Sequence, residues 1–322
     1  MAVYTQVGFD EAGALFERLG LGKLTDLQGI RSGIENTNYY ASTPQGQWVL
    51  TLFERMAREQ LPYYLELMQH LASSGIPVPA PQPTAAGELL HSLAGKPASV
   101  VTRLPGSHRL LPEVTHCAQV GHMLARMHEA AQGFGPQQPH LRGLAWWTAT
   151  APVVRPHLRP EQAELLDLEL AFQQQLAASP GAQALPRGPI HADLFRDNVM
   201  FDDTAGGDRL CGFFDFYFAG TDTLLFDLAV CLNDWCTDAH SGQLDERRAA
   251  AFVAAYHHAR ALTPGEQRAL PALLRAAALR FWISRLWDWH LPREAALLQP
   301  KDPSYFERVL RARASHPWHP SL

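Results

Sequence analysis

The sequence predicts an α+β fold in two lobes, an antiparallel sheet with a helix first and a mainly helical lobe after it. Short runs of β-prone residues broken by turn signals fill the first part of the chain. Longer stretches with apolar residues at helical spacing fill the rest. The size agrees: 322 residues, 47% hydrophobic and only 18% charged, exceed one typical domain and suit two lobes around a cleft, with a large core.

Taken in order, residues 9–21 put Leu15, Phe16 and Leu19 on one side of a first helix. Residues 26–31 and 38–42 read as strands joined by 32–37, and Trp48 to Phe53 forms a third strand after the turn at Pro44 to Gly46. Residues 61–71 are a helix with Pro62 near its start, where proline is tolerated. Gly75 to Pro81 is a stiff connector, because each proline fixes φ. Residues 98–106 read as a strand ending in a turn, and Pro105-Gly106 marks the boundary between an N-terminal lobe, 1–105, and a C-terminal lobe, 106–322.

The second lobe opens with a helix over 115–131, with Val120, Leu124 and Met127 along one face. After a loop beginning Arg142-Gly143 come Trp146 and Trp147, which either pack in the core or wall a small-molecule pocket. Residues 161–178 form an amphipathic helix closed by Ser179-Pro180-Gly181. Further helices are expected over 245–262, 268–290 and 303–313.

The chemistry concentrates in Pro189 to Phe201, which starts and ends apolar but carries His191, Asp193, Arg196, Asp197 and Asn198 between. A core strand would not tolerate so many unpaired polar groups. The spacing His-x-Asp-x-x-x-x-Asn suits phosphoryl transfer, in which a carboxylate orients the attacking hydroxyl and an amide oxygen holds a divalent metal. Seventeen residues past Asn198, Asp215 interrupts an apolar run, a costly place for an acid unless it binds a cation. Asp227 then opens an apolar helix. Singly, such a motif arises by chance and such an Asp caps a turn; in this order they read as a kinase active site. Asp193 is the catalytic carboxylate, and Asn198 and Asp215 are ligands for Mg2+. His191 braces the loop and Asp227 accepts its backbone N–H groups. Asp197 is either an acid behind the metal ligands or a contact to substrate.

The net charge of −5, without a basic run, argues against a nucleic-acid binder. The four cysteines form no C-x-x-C pair, so reduced thiols in a cytoplasmic protein are expected. No secretory signal is expected from the opening residues, and no segment offers the ~18 apolar residues of a membrane span.

Asp193, Asn198, Asp215 and Asp227, with their surroundings, resemble the catalytic half of the aminoglycoside phosphotransferase and choline kinase superfamily, relatives of the protein kinases. Ile190 to Asn198, Leu232 to Cys236 and Arg142 to Trp147 resemble one subgroup of it, the homoserine kinases of the pseudomonad type, and the resemblance spans essentially the whole chain. It implies a protein-kinase-like bilobal fold that uses ATP and Mg2+ to convert L-homoserine to O-phospho-L-homoserine in threonine biosynthesis. It also implies that the loop with Gly33 and Asn36 covers the phosphates, and that Val101, Thr102, Arg103 and Leu104 line the adenine at an interlobe hinge near 101–105. One position departs from the pattern: Thr51 stands where the superfamily usually has a phosphate-contacting Lys, whose usual partner would be Glu66. Arg31, Arg55 or Arg58 are the nearby sources of positive charge. The alternatives are a kinase of another small alcohol (an aminoglycoside, choline or methylthioribose) and, motivated by Thr51, a nucleotide-binding regulator without turnover.

A homoserine pocket needs an acid for the ammonium, a base for the carboxylate and walls for a short chain. Asp234, seven residues after Asp227 and on the same helix face, is the expected acid, with Asn233 and Trp235 beside it and Trp146 as a wall. Arg280 and Arg285, in an apolar helical setting, are the expected bases, although Arg285 has Asp288 at ion-pair spacing as a rival partner.

Overall fold

The structure, a computed structural model, describes residues 5–30, 36–202, 208–291 and 300–322; Gly33 and Arg31 lie outside them. Two compact units emerge, one of residues up to Gly106 plus Cys211–Phe214, the other of Ser107–Leu210 plus Asp215–Leu322.

In the first unit α1 (Phe9–Arg18) turns Ala12, Leu15 and Phe16 inward. A five-stranded antiparallel sheet follows, made of β1 (Asp26–Gly29), β2 (Asn36–Thr43), β3 (Gly46–Phe53), β4 (His91–Leu93) and β5 (Lys96–Thr102) in the order β1-β2-β3-β5-β4, with α2 (Leu61–Ser73) between β3 and β4 in the chain. β2 alternates in the strand period, burying Thr37, Tyr39, Ala41 and Thr43. Tyr39 and Ala41 join Trp48, Leu50 and Leu52 of β3 against the α1 side chains. β4 was not expected. Its pairing with β5 depends on a two-residue turn in which both Ala94 and Gly95 take positive φ, 49° and 73°, and Ala-Gly lacks the usual Asn-Gly signature of such turns.

The second unit contains α3 (Val114–Ala131), α4 (Leu144–Val154), α5 (Pro160–Ala178), α6 (Pro180–Gln183), β6 (Arg187–Ile190), β7 (Val199–Asp202), β8 (Arg209–Phe213, which runs into the first unit), β9 (Gly220–Thr223), α7 (Leu224–Trp235), α8 (Glu246–Ala259), α9 (Pro264–His290) and α10 (Ser304–Ser315). β6 pairs antiparallel with β9, Ile190 opposite Gly220. Two expectations change. Trp146 and Trp147 belong to a helix, α4, whose period is hidden by the adjacent tryptophans and Pro152. α9 begins at Pro264, four residues early, because Thr263 caps it: Thr263 Oγ1 accepts the Glu266 N–H at 3.1 Å and Glu266 Oε2 accepts the Thr263 N–H at 2.8 Å. α7 is buried all round, and it is the element that carries Asp227 and Asp234 into the interior. Among the described residues no helix is long and apolar enough to cross a membrane.

α3 crosses α8 so closely at Gly121 that a Cβ there would run into the Phe252 carbonyl oxygen. Gly121→Ala is therefore expected to cost about 1–3 kcal/mol, read from the urea midpoint, since backbone rather than a flexible side chain must move. An unchanged midpoint would show that the crossing yields without cost.

Candidate active site

The segment between β6 and β7 holds its shape around one carboxylate. Asp227, in the first turn of α7 and fully buried, accepts the backbone N–H groups of His191 at 2.8 Å and Ala192 at 2.7 Å, and His128 Nε2 lies 3.1 Å away. Burial pushes its pKa up, but the hydrogen bond from His128 and the bonds from the loop outweigh this and hold it below the ordinary carboxylate range. Ala192 has φ 64°, a conformation that costs an L-residue about 1–2 kcal/mol and that these two N–H bonds hold in place. Behind His128 the polar chain continues: Nδ1 meets the Tyr256 hydroxyl at 2.7 Å, which accepts from Arg260 at 3.2 Å, and Arg260 pairs with Glu266 at 2.9 Å. With Nε2–H donated to the carboxylate, Nδ1 is left to accept from Tyr256, so the imidazole is fixed in one tautomer.

Asp193 follows, half-buried, with its N–H donated to His191 Nδ1 at 3.2 Å. Burial, helped by Asp215 and Asp197 and opposed by Arg280, pushes its carboxyl up to about 8. The Asp193 carbonyl accepts from Phe195 N–H and from Asn198 Nδ2, both at 2.8 Å, which turns the Asn198 amide oxygen away from the loop. Asp215 sits just before the 3₁₀ turn Phe216–Phe218 in the left-handed region, φ 70° and ψ 59°. The fully buried His191 ring packs on Phe216 at 4.5 Å and bridges the loop to that turn. Within the first unit, the strand leading to Asp215 is anchored by Phe213 N–H to Pro77 O at 3.1 Å, with Gly212 placed where a Cβ would strike that carbonyl. Asn198 and Asp215 carry side-chain oxygens of the hard kind that Mg2+ takes.

The residues expected around the acceptor have divided fates. Asp234 is buried, and its oxygens take the Arg196 N–H, Nε and Nη2 at 2.8, 3.0 and 3.3 Å, so it holds the segment between β6 and β7 in place. Asn233 and Trp235 correct the expectation of a pocket lining, since both are 0% exposed. Asn233 donates to Leu274 O and accepts from Arg313 Nε, and Trp235 donates to Leu194 O at 3.0 Å; on a helix buried all round, neither keeps a free face. Trp146 is half-buried under the Arg142 guanidinium, 4.4 Å from its ring centre, while Trp147 is buried and donates to Arg142 O. Asp197 is exposed and 3.5 Å from Lys301. Arg285 stacks on Phe306 at 4.4 Å and donates to Asp302 O at 3.5 Å. Arg280 is buried against Phe281 at 3.7 Å.

In the first unit Thr102 N–H donates to Ala80 O and Arg103 N–H to Gln47 O, while Val101 is buried opposite Val49. Asn36 opens β2 opposite Phe53. Thr51 is buried in a polar row across three strands, Asn38–Thr51–Ser99, and donates to Asn38 Oδ1 at 2.7 Å. Glu66 is exposed.

Residues 26–262 match the model of the family described as Phosphotransferase enzyme family. The chain belongs to the phosphotransferase enzyme family. Among similar proteins, the homoserine kinase of Polaromonas naphthalenivorans (strain CJ2) is 59% identical over 318 residues, 99% of each chain. The homoserine kinase of Janthinobacterium sp. (strain Marseille) is 54% identical over 97% of this chain and 96% of its own. An amicoumacin kinase solved with AMP-PNP, Ca2+ and Ami superposes with a TM-score of 0.67 over 95% of this chain and 93% of its own, at 17% identity. That likeness shows the fold alone, and the protein-kinase-like α+β fold is the one the sequence predicts.

Sequence reasoning did not find the roles of His128, Tyr256 and Arg196 in this phosphotransferase family member. Met127-His128, at the start of the last turn of α3, was the available signal for the first. Arg196 lies inside the motif itself, but its partner Asp234 is 38 residues away.

Proposed function

We propose that this protein is an ATP-dependent homoserine kinase that acts in the cytoplasm. Homoserine kinases at 54–59% identity over nearly the full chain carry the choice of acceptor. The catalytic loop, gathered by Asp227 with Asp193 at its turn, supports phosphoryl transfer to a hydroxyl.

In this reading Asp193 accepts a hydrogen bond from the acceptor hydroxyl, orients its oxygen and takes its proton as the O–P bond forms. Little bond-making is left to the protein, so positioning dominates. Asn198 Oδ1 and Asp215 would hold Mg2+, which neutralises phosphate charge when bound. In the first unit, the backbone from Thr102, the last residue of β5, to Leu104 is proposed for the adenine. The polar row at Thr51 stands where a Lys is usual, and it supplies hydroxyl and amide groups without charge.

Turnover of L-homoserine, choline, kanamycin, methylthioribose and L-serine at equal concentration tests this. Homoserine should lead in kcat/KM by about tenfold or more, and any other order refutes the acceptor. Asp215→Ala and Asn198→Ala should each weaken ATP binding by about tenfold in the presence of Mg2+ and little in its absence. Calorimetric titration decides, and wild-type MgATP affinity in Asp215→Ala would remove Asp215 from the metal.

A further inference from the structure

Arginines here meet carboxylates in a recurring way. Arg109, Arg155, Arg196 and Arg275 turn the guanidinium edge carrying Nε and Nη2 onto Asp208, Asp167, Asp234 and Glu169, at 2.5 to 3.3 Å. That edge is a two-pronged fork matched to a carboxylate. Arg280, on α9 and 3% exposed, has the same fork empty: among the described residues its Nε and Nη2 are buried without a hydrogen-bond partner. Burial alone does not produce this. Arg313 is 2% exposed, and its Nε, Nη1 and Nη2 reach Asn233, Gly242 and Thr237 at 3.0, 3.0 and 2.6 Å. Burial lowers the pKa of Arg280 to about 10, so it stays cationic at neutral pH. A buried cation with an empty fork is a poor structural device and a good anion receptor.

Its surroundings include the carboxylate proposed above as the base. Arg280 and Asp193 are each other's strongest opposite charge. The guanidinium lies 5.0 Å from the Phe218 ring, three residues past Asp215, and 3.7 Å from Phe281, whose ring packs at 4.5 Å on Phe195 of the catalytic loop. Arg142 approaches the same Phe218 ring at 5.9 Å and covers Trp146. One cationic fork among aromatic walls beside the catalytic carboxylate suits a small acceptor that carries its own anion. It opposes choline and aminoglycosides, which bring only positive charge.

We propose that the Nε/Nη2 fork of Arg280 binds the carboxylate of an amino-acid acceptor and so places its hydroxyl at Asp193. This rests on the kinase reading above and selects Arg280 over Arg285, which already donates to Asp302 O and stacks on Phe306. Arg280 is then a specificity-determining residue. The other oxyanion available to such a fork is a nucleotide phosphate, and the test separates the two.

The experiment compares wild type, Arg280→Gln and Arg280→Lys with L-homoserine and with 3-aminopropan-1-ol, which is homoserine without its carboxylate. Lysine keeps the charge and loses the fork. The wild-type preference for homoserine should fall by about thirtyfold or more in both variants, mainly through the homoserine KM, with the ATP KM within about threefold of wild type. Arg280→Gln should melt at or above the wild-type temperature, because an unpaired buried charge has gone. An unchanged acceptor preference overturns the proposal. So does a raised ATP KM with preference intact, which gives the fork to phosphate. Equal loss on both acceptors with a lower melting temperature makes Arg280 structural and overturns it too. Failure of the wild type to phosphorylate homoserine refutes the kinase reading instead.

Discussion

Asp193→Asn is expected to lower kcat by about a thousandfold or more while ATP affinity stays within about twofold. The amide preserves shape and one acceptor oxygen but cannot take the proton. Asp193 is held by backbone contacts, its carbonyl to Phe195 and Asn198 and its N–H to His191, so the substitution leaves the loop's frame intact. A variant keeping more than about a tenth of wild-type kcat, a loss below ~1.4 kcal/mol, would exclude this role. The same variant has a stability signature in the ligand-free protein. Burial foremost, with Asp215 and Asp197, raises the folded-state pKa to about 8, so between the unfolded value of 3.8 and about 8 the folded protein binds the extra proton. Stability from this group therefore falls as pH rises through that window. Asparagine carries no such dependence, so the melting temperature of Asp193→Asn relative to wild type should climb from pH 4 to 8 and then level. A constant difference would contradict the raised pKa.

The fold class was readable in the sequence because period and punctuation point the same way through most of the chain. Tyr39, Ala41, Leu50 and Leu52 alternate as half-buried strands should, and Leu15 and Phe16 repeat as a helix should. β4 escaped because three residues and an Ala-Gly turn give too short a signal. The polar turn after β6 was readable because its signal is local: His191, Asp193 and Asn198 lie within eight residues. Its supports were not, since they are long-range pairings. Asp234 looked like a free acid on a helix face, yet Arg196 takes both of its oxygens. Asn233 and Trp235 looked like a polar rim, yet α7 is buried on every side and their polar atoms go to Leu274, Arg313 and Leu194. A sequence shows that a helix is apolar; whether its few polar residues face a ligand or a buried backbone depends on partners dozens of positions away.

Asp227 concentrates that long-range support, and its removal should be the most damaging single change to the frame. Asp227→Ala leaves the His191 and Ala192 N–H groups and His128 Nε2 unpaired in a dry interior, and frees Ala192 from its left-handed conformation. Breaking a buried, hydrogen-bonded charge of this kind costs about 3–5 kcal/mol, and kcat should fall with it because Asp193 is the next residue. At ~2–4 °C per kcal/mol, the melting temperature should drop by roughly 10 °C. His128→Phe removes one of the three partners, leaves the Tyr256 hydroxyl without its acceptor, and should cost about 1–3 kcal/mol. The pH dependence is opposite in sign to that of Asp193. The folded-state pKa of Asp227 is lowered, so below its unfolded value of 3.8 the unfolded chain takes up the proton first. The stability Asp227 supplies is complete above that value and is lost as pH falls through the folded pKa, so the gap between wild type and Asp227→Ala should be widest near neutrality and shrink in acid. Urea titrations of both proteins from pH 7 to pH 3 measure it: a gap that is under about 1 kcal/mol at pH 7, or that widens on acidification, would mean the catalytic loop is held by something other than this carboxylate.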